Sequence, residues 1–341
     1  MNEWTSKEIE FLTENYGSKS TLEIARHLKM DVKRVENKAY RIGLRKPKRF
    51  SYLDLKALPE YADVEEMWRS LEEYQDKCRS LSTHQEAVTV DMSDTEDPII
   101  VAFLADLHIG AFSGKYRELH DRVELLSKTP NCYVVSCGDT VDNYLPTFHT
   151  QGQFSEICPP EVQKVMVEYI FERLNDRVLA LVQGCHDEAS HYADDFDWTK
   201  YLCSKLGCAN LGFGGTVTLK LGKESYVVHA RHKYRFNSAF NLTHTVKRLR
   251  EQVGDFDIGC VAHNHQASVE EVPMPDGKTR VFVRPGSFKA PDRYARSLGY
   301  VDTGAQVPSV ILFPSERKML PFLSLDDAVL VLEKFVGGSK R

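Results

Sequence analysis

Residues of metal-ligating type recur at five places between positions 106 and 265, each in or just after an apolar run. Asp106 and His108 follow "IIVAFLA", and Asp139 and Asp142 follow "CYVVSCG". Cys185, His186 and Asp187 follow "VLALVQG". His229 and His232 lie in and after "SYVVHAR", and His263 and His265 follow "IGCVA". Carboxylates and imidazoles in this mixture suit Mn²⁺, Zn²⁺ or Fe. An Asp-x-His pair on a strand sends both side chains to one face, because positions i and i+2 point the same way. His263 and His265 repeat that spacing. The Asp139 carboxylate is placed to bridge two cations, and a water between such ions attacks phosphorus in line as hydroxide. His186 is then the expected general acid for the leaving oxygen, oriented by Asp142 or Asp187. His229 and His232, three apart on a strand, face opposite sides. His232, at the strand end, is the expected ligand, with His229 as the alternative.

The elements that must hold these residues alternate. "IIVAFLADLH", "NCYVVSCGD" and "RVLALVQG" read as buried strands, separated by the helical patterns "YRELHDRVELLSK" and "PEVQKVMVEYIFERLND". "DWTKYLCSKLG" and "LTHTVKRLREQVG" are further helices, "DIGCVAH" a further strand, and "LDDAVLVLEKF" a closing helix. "TVTLKL" with "SYVVHARH", the Asp-Gly turn in "VEEVPMPDGKTRVFV", and "SVILFPSERKMLPF" predict three hairpins. Alternation followed by hairpins predicts an α/β fold, two sheets packed face to face and flanked by helices. Strand ends on one edge of such a sheet converge on one crevice.

The ordered fragments "DLH", "GDTVD", "GCHD", "HARH" and "AHNH" resemble those of the calcineurin-like metallophosphoesterase superfamily, from residue 98 to about 315. The resemblance implies that Asp106, His108, Asp139 and His265 hold a first metal. Asp139, a later histidine and His263 would hold a second, and Asp142 would support the catalytic histidine. Cys185 stands where the family pattern has an asparagine whose amide oxygen binds the second metal. "ARHKYRFNSAFNLTH" and "RPGSFKAPDRYA" look most like the phage and mobile-element branch. Two divalent metal ions are the implied cofactors, with Mn²⁺ first and Zn²⁺ or Fe as alternatives.

Residues 1–49 read as three short helices. Thr5 with Glu8 and Ser20 with Glu23 form capping-box signatures, Asp31 is placed to cap the third helix, and Gly43 to end it. Trp4, Ile9, Leu12, Tyr16, Ile24, Leu28, Val35 and Ile42 are the expected small core. Between Asp31 and Arg49 eight basic residues face two acidic ones, although the chain as a whole carries a net charge of −5. "EIARHLKMDVKRVENKAYRIGLRK" resembles helix-turn-helix modules of the homeodomain-like and Myb-like type. That implies DNA contacts from Lys33, Arg34, Asn37, Lys38, Arg41, Arg45 and Lys46, with the "RKPKR" tail on phosphates. Residues 50–97 are expected to be an acidic, partly helical linker, and residues 98–341 the phosphoesterase domain. No apolar run reaches 18 residues, so no membrane span is expected. That lack and the lack of a signal-peptide pattern at the start predict a cytoplasmic location, and the unpaired cysteine spacings predict reduced, mostly buried thiols.

The superfamily's protein phosphatases carry arginines where this chain has Asn143 and Gln183, and neither amide neutralises a phosphate dianion. The expected substrate is therefore a phosphodiester, DNA in particular, brought to the site by the basic module. A phosphomonoesterase acting on nucleotides or nucleic-acid ends, and a DNA-binding protein with a degenerate metal site, are the alternatives.

Overall fold

The computed structural model describes residues 4–46, 64–80, 85–145 and 150–338. The chain forms two compact units, Met1–Ser82 and Thr83–Arg341.

In the first unit, α1 (Ser6–Asn15), α2 (Thr21–Leu28) and α3 (Val32–Arg41) enclose Leu12, Ile24, Ala25, Val35 and Ala39. Both capping boxes form: Thr5 Oγ1 accepts from Glu8 N at 3.3 Å and Ser20 Oγ from Glu23 N at 3.2 Å. Asp31 Oδ1 accepts from Lys33 N at 2.8 Å. After α3 the chain turns at Gly43 (φ 77°), and Leu44 N donates to Ala39 O at 2.9 Å. That turn brings Leu44 against the core and leaves Ile42 exposed, so Leu44 takes the place expected of Ile42. A fourth helix, α4 (Val64–Ser80), lies in the stretch expected to be helical linker. Most of the "RKPKR" tail falls outside the described residues.

The second unit is built on two six-stranded sheets. Its strands are β1 (Ala87–Met92), β2 (Ile99–Leu104), β3 (Cys132–Ser136), β4 (Val178–Leu181), β5 (Ala209–Asn210) and β6 (Gly214–Leu221). β7 (Glu224–Arg231), β8 (Ile258–Val261), β9 (Ser268–Pro273), β10 (Thr279–Arg284), β11 (Ser309–Leu312) and β12 (Met319–Phe322) complete them. One sheet has the order β1-β6-β7-β8-β10-β9, the other β12-β11-β2-β3-β4-β5. The three expected hairpins are the antiparallel pairs β6/β7, β9/β10 and β11/β12.

β2 shows why the sheets stack. Its alternate residues Ile99, Val101 and Phe103 face the other sheet, packing near Val217, Val228 and Ile258. Ile100, Ala102 and Leu104 face the helical side. A strand apolar on both faces must be covered on both. The cover comes from α5 (Tyr116–Lys128), α6 (Pro160–Leu174), α8 (Trp198–Leu206) and α11 (Leu325–Gly338), with the short α7 (Ala189–Asp194) between. On the far face of the other sheet, Val246 and Leu249 of α9 (His244–Val253) pack on Phe256, Val261 and Phe282. The remaining short helix is α10 (Arg293–Ser297).

One expectation is corrected here. Residues 87–92, assigned to the linker, are strand β1, parallel to β6 in register from Ala87↔Thr216 to Met92↔Leu221. Its outward positions Thr89 and Asp91 are polar and only Val88, Val90 and Met92 touch the inter-sheet core. An edge strand of that kind has the composition of a loop until its partner is known.

Candidate metal centre

Strands β2, β3 and β4 run parallel in one sheet, and β7, β8 and β10 in the other. The segments leaving their carboxyl ends carry Asp106 and His108, Asp139 and Asp142, Cys185 and His186, His232, His263 and His265, and Lys289. These are the positions from which an open sheet edge presents side chains to a shared crevice.

The backbone there differs from what strand alternation predicts. Asp106 and His108 lie beyond the end of β2 with φ of 52° and 46°, and Asp139 has φ 53°. His263 and His265 have φ of 73° and 60°. Left-handed non-glycine residues cost energy and collect where a site needs them. The i, i+2 pairs therefore converge through paired left-handed turns rather than through a strand face. The turns are braced by close backbone approach: a Cβ on Gly184 would stand 2.0 Å from Asp139 N. Asp187, fully buried, accepts from Thr140 N at 2.9 Å, Thr140 Oγ1 at 2.6 Å and Gly184 N at 3.0 Å. It ties the second and third ligand loops together, a bracing role that the sequence did not signal.

Three overlapping donor groups share this crevice. One ligand atom each from Asp139, Cys185, His232 and His263 lie within 4.8 Å of one another. So do those of Asp106, His108 and His265, and those of His108, Asp139 and His186. Asp139 stands between the groups, its Oδ2 3.1 Å from His232 Nε2 and 3.8 Å from His108 Nε2. Cys185 Sγ is 3.4 Å from His263 Nδ1 and 3.6 Å from Asp139 Oδ2. His232 Nδ1 donates to Cys137 O at 2.8 Å, which fixes the ring and leaves Nε2 facing the cluster. His229 lies elsewhere, 2.9 Å from Thr216 Oγ1 and stacked near Phe256, on the outer face of its sheet.

The donors fit divalent cations. Asp106 Oδ1 is buried with no hydrogen-bond partner, His265 Nε2 standing 3.5 Å and His108 Nε2 4.0 Å away. A buried carboxylate oxygen without a donor is costly unless a cation meets it. Burial opposes charge on Asp139, yet the imidazoles of His232, His186 and His108 outweigh it and hold the carboxyl well below its usual range. Asp106 is lowered against its own burial by His265 and His232. Burial drives His108 and His263 down to about 4, leaving neutral rings with lone pairs to donate. His232 is the exception: burial disfavours its charge, but Asp139 prevails and raises it. Burial and the Asp139 charge push the Cys185 thiol up.

Asp142, expected to support His186, meets two further groups through its carboxylate. Oδ1 lies 2.9 Å from His108 Nδ1 and accepts from Lys289 Nζ at 2.9 Å. The main-chain carbonyl of Asp142 accepts from His186 Nδ1. Asn143 likewise turns inward, donating to His186 O at 2.9 Å and Ser190 Oγ at 3.2 Å. The crevice is a cavity of about 590 Å³ lined also by Lys115, Tyr144 and Lys289. Sequence reasoning assigned those three no role. Lys289 lies in the quoted "RPGSFKAP" stretch, but a lone lysine after a strand carries no ligand spacing that would mark it.

On the basic module, Lys33, Asn37 and Arg41 are exposed along one face of α3 at i, i+4 and i+8, and Arg45 and Lys46 follow, also exposed. Lys46 Nζ donates to Lys19 O at 3.1 Å. Arg34 and Lys38 differ from expectation. Both are half-buried, their cationic groups 6.0 and 5.8 Å from the Trp4 ring centre, on the core side of the helix.

Fold and site together define a two-sheet α/β protein with carboxylate, imidazole and thiol donors gathered at the ends of parallel strands. No protein-family model matches the sequence, and no curated protein matches it significantly. Among solved structures, Chaetomium thermophilum Vps29 is 14% identical with a TM-score of 0.34, over 66% of this chain and 92% of that one. The calcineurin-like phosphoesterase YfkN from Bacillus subtilis is 9% identical with a TM-score of 0.32, over 71% of this chain and 97% of that one. Pseudomonas putida nuclease MPE is 12% identical with a TM-score of 0.30, over 65% of this chain and 87% of that one. Likenesses this remote do not say what this chain does. Among the described residues no helix is long and apolar enough to cross a membrane.

Proposed function

We propose that the chain is a dinuclear-metal-dependent phosphoesterase of the calcineurin-like kind, acting on phosphodiesters and on DNA in particular. The observation that carries this reading is the convergence of seven donor residues around Asp139, with the orphaned Asp106 Oδ1 among them. Asp106, His108 and His265 would hold one cation; Cys185, His232 and His263 would hold the other; Asp139 would serve both. Bound divalent cations would polarise the phosphate and lower the pKa of an attacking water, with Mn²⁺, Zn²⁺ or Fe suited to the donors.

The remaining steps belong to the protein. His186 lines the cavity and its Nδ1 is fixed by the Asp142 carbonyl, so Nε2 is the nitrogen that would deliver a proton to the leaving oxygen. Asp142 aligns His108 and keeps Lys289 at the cavity wall. The inward turn of Asn143 supports a diester: neither it nor Gln183 supplies the guanidinium that a terminal phosphate dianion favours. The exposed α3 face would bring DNA through its phosphates. A phosphomonoesterase is the second reading, favoured by the two lysines on the cavity wall.

The test is metal analysis of purified protein together with hydrolysis of bis(p-nitrophenyl) phosphate, its monoester counterpart and DNA, wild type beside Asp139→Ala. Bound metal and diester turnover lost in the variant are expected. Faster monoester turnover favours the second reading. Little metal, and no hydrolysis by either protein, leaves a DNA-binding protein with a degenerate site.

A further inference from the structure

The loop between β7 and α9 leaves the sheet at His232 and forms part of the cavity wall with Asn237, Ser238 and Ala239. It also carries two aromatic rings that the fold does not bury. Phe236 is 40% exposed, and Phe240 is fully exposed. Phe236 holds a left-handed backbone, φ 71°, an expensive conformation for a bulky side chain. Two guanidinium groups flank its ring, Arg235 at 4.9 Å and Arg248 of α9 at 5.1 Å from the centroid.

The loop is tied down. Asn237 Oδ1 accepts from Arg284 Nη1 at 3.2 Å, and Arg284 is almost wholly buried. Asn237 Nδ2 donates to Asn264 Oδ1 at 3.2 Å, and Asn264 lies between His263 and His265. Thr245 Oγ1 donates to Arg235 O at 2.7 Å. A strained, tethered backbone thus keeps one ring with guanidiniums beside it, Phe236, and one wholly exposed ring, Phe240, on the loop that walls the cavity.

Aromatic faces with adjacent arginines suit a ligand that offers flat rings and a repeating anion together. Bases stack on the rings while the backbone phosphates meet the guanidiniums. A duplex hides its base faces, and a run of Asp or Glu side chains has no rings to stack. We infer that the β7–α9 loop is a binding platform for an unpaired nucleotide strand, leading its phosphodiester backbone to the metal centre. The inference rests on the diester reading of that centre and names its substrate as single-stranded nucleic acid.

The experiment uses the full chain carrying Asp139→Asn, so that binding is read without turnover. A short single strand containing 5-iodouracil is irradiated with the protein and the cross-linked tryptic peptide identified. The expected peptide is 236–247, which holds both rings. Fluorescence anisotropy with the same strand should show Phe240→Ala weakening binding by about five- to 150-fold, the range for one stacked base. Phe240 is fully exposed, so its replacement leaves folding intact, and Phe236→Ala should act in the same direction. Cross-links confined to other peptides would overturn the inference. So would duplex binding as tight and as sensitive to Phe240→Ala, or displacement of the strand by polyglutamate at equal charge. Failure of the wild type to hydrolyse any ester overturns the enzymatic reading instead, because binding is measured separately.

Discussion

The sulfur of Cys185 stands 3.3 Å from Nε2 of His232. With His263 and Asp139 beside them, the two residues complete a four-donor set of one sulfur, two nitrogens and one oxygen.

Such a set has the ligand number and donor types of a tetrahedral zinc site. Co²⁺-loaded protein is expected to show a near-ultraviolet thiolate-to-cobalt absorption, and Cys185→Asn to remove it. The same variant restores a hard amide oxygen and is expected to keep or raise Mn²⁺-dependent diester hydrolysis. An identical cobalt spectrum in the variant places the sulfur outside the coordination sphere. Loss of all turnover would mean that the thiol has a further role.

His186 and Asp142 are expected to fail in different ways. His186→Ala removes the proton donor but no ligand of the four-donor set, so hydrolysis should fall by about 10²–10⁴-fold with metal content little changed. Asp142→Asn loosens His108 and strands Lys289. Loss of such an outer-shell partner weakens metal affinity by about 10–100-fold. Titration with a chromogenic chelator separates the two. Equal metal affinity in Asp142→Asn and wild type would contradict its aligning role.

On α3, Lys33 and Arg41 face solvent, whereas Arg34 lies against Trp4. Replacing Lys33 and Arg41 with Gln is expected to weaken DNA binding alike on all sequences. The slope of log K against log salt should drop by about 2, one for each phosphate contact removed. Arg34→Gln is expected instead to lower the thermal stability of the module by about 0.5–1 kcal/mol, the scale of a lost cation–π contact. A salt slope unchanged by the double substitution removes this face from the DNA interface.

The buried side chain of Arg280 holds Asp255 through Nη2 to Oδ2 at 2.6 Å, with Arg250 on the same carboxylate. These hydrogen bonds bring Asp255 from its ordinary 3.8 to about 2. A carboxyl that binds its proton less readily when folded stabilises the fold above its unfolded value, and that contribution fades as pH falls towards the folded value. The margin in Tm of wild type over Asp255→Asn is therefore expected to be full at neutral pH and to close between about pH 4 and pH 2. A margin independent of pH would assign the effect to packing alone.

Much of the second unit was readable because its signals are local. β2, β3 and β4 are short apolar runs, and each ligand type follows its strand within a few residues, so order and spacing pointed to one edge. The hairpins were marked by turn residues such as Gly277, whose φ is 76°. β1 was not readable, because its outward positions Thr89 and Asp91 are polar and, among the described residues, it pairs only with β6. Lys289 was not readable either, since its role is set by Asp142, 147 residues earlier in the chain.

The linear order of residues thus determined which donors this protein owns and which strands deliver them. Those properties depend on residue type and on periods of two and 3.6 residues. Folding alone decided which atoms meet. Past a strand end the period no longer aims side chains; the left-handed turns at Asp106, His108, Asp139, His263 and His265 do. Those turns persist because residues far apart in the chain brace them, as Asp187 braces Thr140 and Gly184 approaches Asp139. The sequence singled out Asp142 by its spacing, and folding brought its carboxylate to His108 and Lys289.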